Sequence, residues 1–521
     1  MKLSISQFAG EMPIMAEHLL PENYATKTLN ARMEGGSLIP IRDVEATAYT
    51  AANDVNSWAI YPFDKTKVLT RTDEANFVRS PLANDTWDRV YIAGNGAPPQ
   101  VAFTSGGTLS LASLGVNKPA TPTVPTSWND AQPPSPDYQI VRCAYYVTNV
   151  TQRGEESEPS DTTQIINRWD GASIPVTLGS SNDARSTKRR LYRSEGGGTF
   201  NLVGEYPVSN TATTDSVKSA MLGAPCNSES FNAPPSNLSG LTMVGNGFLA
   251  GFFGNTLCFC EPYYPHAWPI EYQYAFHDDI VGIAVAGGSV TVTTTGNPWI
   301  VTGGHPSAMS QTRLDLRASN LSRAGLVDMG NICLYPSSEG LVVASPSDVK
   351  VISSNVISRG QWLALDPNSF KAFRYRGQYL CFGSSTSFIF NLENGIFPLS
   401  IAGTVLDGHY QADEDILYLL IKNANNTRSV VKFDAGSNME LTWESREFIM
   451  SSASVLSAGR VDSDASATIN ITGDDYNFNH TVPNDTGFRL PSGRPKRLKI
   501  ELKSTERVNT VTLASSMSEL L

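Results

Sequence analysis

Nothing in the 521-residue chain approaches the run of about 18 apolar residues that a membrane-crossing helix needs, so no part of it is expected to span a bilayer. Cysteine is scarce. The six thiols, at 143, 226, 258, 260, 333 and 381, include no CxxC pair, which excludes a disulfide scaffold and a zinc ribbon. Cys258 and Cys260 stand two apart and are expected on one face of a strand. Buried free thiols are expected throughout, as in a reducing cytoplasm. The opening MKLSISQFAGEMPIM lacks the apolar stretch of a signal peptide, so folding in the cytoplasm is the expectation. Charge is modest and of one sign: 39 Lys and Arg against 50 Asp and Glu leave −11. Such a balance argues against gripping nucleic acid, which Lys and Arg hold by its phosphates.

Chemistry-bearing motifs are missing too. The six histidines (18, 266, 277, 305, 409, 480) form no HExxH and no i, i+4 pair. His277-Asp278-Asp279, the one histidine followed by two carboxylates, reads as a strand-end turn. There is no GxSxG and no Walker loop. Gly287-Gly288 and Gly303-Gly304 read as hairpin turns. No SxDxGxxW box of the sialidase-type propellers occurs, and nothing nominates a glycosidase carboxylate pair. Asp413-Glu414-Asp415 and Asp462–Asp464 read as solvated turns, not calcium loops. No catalytic, cofactor-binding or metal residue is nominated; the chain is expected to be no enzyme and to need no cofactor.

What is present is β structure. Long 3.6-residue apolar periods are rare, whereas Thr, Ser, Gly (41) and Pro (31) are abundant. From Thr242 to Phe433 one theme recurs: a short apolar β run, a tight turn, a second run and a looser connection. With Gly247, Ser289, Asn331, Gln378 and Asp415 as equivalent starts, the spacings are 42, 42, 47 and 37 residues. All-β repeats of about 40–45 residues are the period of propeller blades. One such hairpin cannot bury its own apolar face, so neighbours must pack around a centre. Counting SWAIYP (57–62), Thr66–Arg71 and Arg89–Thr104 as further blade material, six blades are expected, with seven as the alternative. An N-terminal strand is expected to close the last blade and remove a free edge.

The domain divisions follow composition. Residues 1–45 form a leader with one possible helix around Met15–Leu20, and residues 46–117 hold the first blade material. Residues 118–240 are an insertion bounded by linkers rich in Pro, Thr and Ser (Lys118–Pro136, Ser230–Gly240). Within it, short alternating runs with Gly-rich turns argue for a small β-sandwich; Tyr145–Ser160, Arg190–Val203 and Thr211–Asp215 resemble a fibronectin type III domain. The remaining blades occupy 241–440. Residues 441–521, with clear alternation in Ala467–Thr472 and Leu498–Leu502, form a C-terminal β-sandwich or platform. Two basic clusters, Lys188-Arg189-Arg190 and Arg494, Lys496, Arg497, Lys499, read as solvated strand ends or as docking sites for an acidic neighbour or a phosphate. Tyr263-Tyr264-Pro265-His266-Ala267-Trp268 reads as packing between blades or as an exposed binding surface.

Several segments together resemble the tail nozzle proteins of short-tailed bacteriophages. They are Thr294–Leu314, with Pro298-Trp299 leading to a glycine turn, and Leu321–Ser345, with Leu334-Tyr335-Pro336-Ser337-Ser338-Glu339-Gly340-Leu341-Val342. Asn30-Ala31-Arg32 with Gly36–Pro40 is similar to that family's leader, and Phe488–Leu520 to its closing domain. The resemblance implies a virion protein assembled in the host bacterial cytoplasm: a homohexameric ring below the portal and adaptor ring. The ring would retain the packaged genome, conduct double-stranded DNA during ejection, meet tail fibres or spikes at its side, and hold a plug or needle at its tip. Six copies would carry 6 × −11 = −66 charges, and an acidic lumen would repel a passing duplex over about 8–10 Å. A monomeric propeller that binds glycan or protein is the alternative, and a propeller glycosidase or lyase a third.

Overall fold

The computed structural model describes residues 2–49, 56–94, 97–450, 455–474, 476–491 and 493–520. The chain divides into two compact units. Unit 1 is Met1–Glu74, Val281–Val301 and Gln311–Leu521; unit 2 is Ala75–Ile280 and Thr302–Ser310.

Six four-stranded antiparallel sheets, five of them meanders of consecutive strands, are the blades of a β-propeller. Blade I runs from Ala75–Arg79 to Thr108–Ser113 and blade II from Ser239–Val244 to Gln273–Ala275, both in unit 2. Blades III (Ile280–Ala286 to Ser310–Arg313), IV (Val327–Asp328 to Val349–Val351) and V (Lys371–Tyr375 to Gly395–Leu399) follow. Blade VI has three strands from Thr404–Gln411 to Arg428–Lys432, and its fourth is Glu45–Ala46, paired with Val431 and Lys432. The expected N-terminal closure is therefore present. A two-stranded hairpin, Ala59–Pro62 with Val68–Arg71, packs beside the first strand of blade VI.

The five repeats read from the sequence are the second and third strands of blades II to VI. Those strands are covered on both faces, so Phe248–Phe253, Ser289–Thr294 and Ile416–Lys422 are almost wholly buried. Fourth strands such as Ser310–Arg313 are largely exposed.

The leader is not a separate arm. Lys2–Ile5 and Ser37–Pro40 pair with Val508–Ala514, and Ala25–Leu29 pairs with Leu441–Ser445. The first forty residues thus supply strands to both six-stranded sheets of the C-terminal β unit. Phe8 stands edge-on to Trp443 at 5.0 Å, and the Trp443 indole N–H donates to the Ala9 carbonyl at 3.0 Å. Glu11 exchanges backbone bonds with Ile396, and a side chain at Gly395 (φ 89°) would collide with the Glu11 carbonyl. The expected helix at Met15–Leu20 is one 3-10 turn, Glu17–Leu19. Between Pro13 and Pro21 there is too little chain to offset helix nucleation, and Leu19 is 65% exposed, with nothing to bury against.

Leader, blades and C-terminal unit meet at Asp434. Its carboxylate accepts from Arg32 Nη1 at 2.6 Å, from the Arg42 backbone N–H at 2.7 Å and from the Tyr375 hydroxyl, with Arg376 3.7 Å away. Asn30, with φ 54°, caps the Ser400 N–H at 2.8 Å. These contacts give Asn30 and Arg32 of the leader motif structural duties.

The insertion holds a four-stranded sheet, with Ile140–Thr151 and Ser186–Glu195 at its centre, and a two-stranded sheet, Ile174–Thr177 with Ala212–Asp215. They share a core of Tyr145, Val147, Ile174, Val176 and Leu191. At its floor Asp215 accepts from the Tyr145 hydroxyl (2.7 Å), Arg193 (2.5 Å) and Arg168 (3.3 Å), all buried.

Two outcomes are expected. Deleting residues 1–46 should abolish the cooperative melting of the chain, followed by near-UV circular dichroism; an unchanged transition would contradict the stitched closure. Asp434→Asn, which keeps the left-handed backbone but removes the charge from a buried pair, should cost about 3 kcal/mol in denaturant unfolding.

Candidate functional site

The features singled out in the sequence resolve mostly into structure. All six cysteines are free and buried; Cys258 Sγ faces the Gly251 carbonyl at 3.3 Å and Cys260 Sγ accepts the Leu249 N–H. Burial pushes the Cys260 thiol up to about 12, which makes it inert. The first basic cluster is engaged within its own sheet and loops. Lys188 pairs with Glu205 at 2.6 Å, Arg190 with Glu156 at 2.6 Å and Glu205 at 3.1 Å, and buried Arg189 donates to the carbonyls of Leu178, Gly179, Val208 and Asn210. In the second cluster Arg497 lies 3.5 Å from Glu447 and Lys499 pairs with Glu17 and Glu444, while Arg494 and Lys496 are exposed.

The aromatic segment splits. Trp268 and His266 are buried, bonded to the carbonyls of Pro265 (2.9 Å) and Glu156 (3.1 Å), whereas Tyr263 and Tyr264 are 54% and 47% exposed. His277 is exposed, and no group of three potential metal ligands occurs among the described residues. Asp415 accepts from the Tyr410 hydroxyl at 2.8 Å in an exposed turn with φ 52°. Asp462 accepts from Asn509 at 3.4 Å.

What the sequence reading missed lies on the first strands of blades V and VI in unit 1. Lys371 opens one and Asp407 sits at a register shift in the other. The Asp407 carboxylate accepts the Ile60 N–H of the neighbouring hairpin at 2.9 Å. Lys371 Nζ donates to the Val405 carbonyl at 3.2 Å and stands 5.9 Å from the Trp58 ring, which is 44% exposed. His409, two residues along, meets the Tyr61 ring edge-on at 4.7 Å. Lys371, Asp407 and His409 are half-buried, each keeping some solvent contact.

Enclosure perturbs their protonation. Desolvation pushes Asp407 up to about 7, against the N–H groups of Ile60 and Gly408 and the charge of Lys371, and with the help of Glu74. Burial takes His409 down to about 4, partly opposed by Asp413. Burial also lowers Lys371, against Asp407 and Glu74. The arrangement supplies a carboxyl that titrates near neutrality beside an ammonium and an indole. It can exchange a proton or hold a small polar group. The one sequence signal was a lone aspartate in the otherwise uncharged strand TVLDGHYQ.

No family model and no curated protein matches the chain. Among solved structures, the AfRom2 CNH domain is similar over 58% of this chain and 91% of its own, at 11% identity and a TM-score of 0.27. A putative gluconolactonase is similar over 47% and 84%, at 10% and 0.27. The β-propeller domain of Myceliophteria thermophila Cps50 (Swd1) is similar over 49% and 80%, at 11% and 0.26. At such scores none of them informs the function of this chain, and the propeller rests on the strand order above.

The two shifted groups oppose each other in stability. Asp407, raised from 3.8 to about 7, favours the folded state below about pH 4, and that contribution is lost as pH rises to about 7. His409, lowered from 6.5 to about 4, contributes above pH 6.5, and that is lost as pH falls to about 4. Thermal melts across this range should therefore show Asp407→Asn gaining stability with rising pH and His409→Gln losing it. Parallel profiles for the two variants would contradict the assignment.

Proposed function

We propose that this chain is a structural subunit of the tail nozzle of a short-tailed bacteriophage, part of a ring through which double-stranded DNA leaves the particle. The observation that carries the reading is the stitching of the leader strands into the C-terminal sheets and into the last blade. Leader strands are paired with Leu441–Ser445 and Val508–Ala514, and the last blade is closed by Glu45–Ala46. Sheets closed by strands from far apart in the chain suit a part that holds back a pressurised genome. The resembling segments support the same reading: Trp299–Thr302 and the Cys333–Ser337/Gly340–Ala344 hairpin fall in consecutive blades. There Ser337 Oγ closes the turn onto the Gly340 carbonyl at 2.9 Å, and Ser337 O takes the buried Trp362 indole N–H at 2.8 Å. In this reading the fibronectin type III-like insertion is a side arm for fibres or spikes, and the chain has no catalytic task.

A second reading, a propeller that binds glycan or protein, is favoured by the exposed pair Tyr263 and Tyr264, the first held at φ 64°. Negative-stain electron microscopy of the purified chain, classified for rotational symmetry, separates the two. Six-fold rings with a central hole are expected; single particles at every concentration, together with retention on a glycan array, would favour the second.

A further inference from the structure

Sheet edges offer rows of unpaired N–H and C=O groups, and proteins blunt them with short strands, charge, proline, bulges or covering segments. Most edges here are blunted in these ways. The fourth strands of blades II and VI, Gln273–Ala275 and Glu45–Ala46, have three and two residues. Those of blades III, IV and V carry Arg313, Lys350 and Pro398. Asn201–Pro207 of the insertion carries Glu205 and is covered by residues 223–225. In the C-terminal unit, Ala25–Leu29 carries Lys27 and a register shift, and Ala31–Glu34 carries Arg32 and Glu34.

Two edges escape. Tyr476–Val482 (YNFNHTV) ends its six-stranded sheet, pairs with Ala467–Gly473 through seven residues without a shift, and has neither a Lys, Arg, Asp or Glu nor a proline. Thr108–Ser113 (TLSLAS) ends blade I in the same manner, through six unshifted pairs.

The direction of the free groups follows from alternation along each strand. Ile500 N–H donates to Ser445 Oγ at 2.9 Å, so it points away from Ile471, its partner. Ile471 must then bond on its other side, to Phe478, and the N–H and C=O groups of Asn477, Asn479 and Thr481 face outward. Likewise Thr104 N–H donates to the Trp87 carbonyl at 2.8 Å, so Leu109 and Leu111 face outward on the second edge, where Leu111 is 53% exposed. Only an extended backbone matches such rows.

We propose that the Tyr476–Val482 edge of one copy pairs with the Thr108–Ser113 edge of a second copy of this chain, an inference that rests on the reading of the chain as a ring subunit. Two different uncharged edges on one chain define a head-to-tail contact, which builds rings, whereas pairing of like edges stops at a dimer and leaves the other edge bare.

Sedimentation velocity of the full chain and two variants tests this. Asn479→Pro removes an outward N–H that its own sheet does not use, and Leu111→Lys charges the second edge. The wild type should form the ring. Each variant, with unchanged melting, should be monomeric at concentrations at least tenfold above those at which the wild type assembles. Mixed, the two variants should give dimers and nothing larger, because each retains one intact edge of opposite kind. If Asn479→Pro fails to melt cooperatively, Asn479→Lys takes its place. Rings that survive both substitutions would overturn the edge pairing and leave the nozzle reading standing; a wild-type chain monomeric at all concentrations would overturn both.

Discussion

The carboxylate of Asp434 is the point on which unit 1 depends. It lies one residue beyond Phe433, where the last blade hands over to the C-terminal sheets, and it satisfies Arg32 and Arg42 of the leader together with Tyr375 of blade V. A buried carboxylate of this kind is costly unless its neighbours are donors, and Arg32, the Arg42 N–H, Tyr375 and Arg376 all are. The pairing fixes where the leader leaves the C-terminal sheets and turns towards blade VI. Around it, one continuous core runs from Phe8 and Trp443 through Leu399 and Leu419 to Val511. Blades V and VI and the C-terminal sheets are therefore one hydrophobic body.

How much of this was legible in the sequence follows from burial. Central blade strands touch protein on both faces and so appear as apolar runs bounded by turns; QYLCF and ILYLLIK could be read directly. First and fourth strands face solvent or the centre on one side, and short ones such as VKV and QYA carry no pattern at all. The pairing of the leader was hidden for a different reason. ATKTL looks like a loose polar segment, because the strand it pairs with, Leu441–Ser445, lies more than four hundred residues away. Closure by an N-terminal strand was deduced from the cost of a free edge, but nothing in Glu45-Ala46 itself announces it.

The polar lining of blades V and VI was beyond local reading. Lys371 and Asp407 stand thirty-six positions apart on separate strands, and no spacing rule connects them; only the side-by-side packing of first strands does. The basic triplet at 188–190 shows the converse. It looks like a patch for an acidic partner, yet Glu156 and Glu205 of the same sheet neutralise it, and Arg189 is spent on four carbonyls. Sequence shows where charge is dense, but only cross-strand register shows whether it has been used.

The pairing of Lys2 with Ala514 sets a timetable for folding. The partners are 512 residues apart, so at a synthesis rate of about 5–20 residues per second the first strand waits roughly 25–100 s for its neighbour to emerge. Until the C-terminal strands emerge Ile5, Phe8 and Leu38 lack much of the core they enter, although blades I to V have been made once residue 399 is reached. Contacts of such long range fold slowly and expose apolar surface meanwhile. The chain is thus committed to a late closing step, during which chaperone binding competes directly with the arrival of Trp443 and Val511.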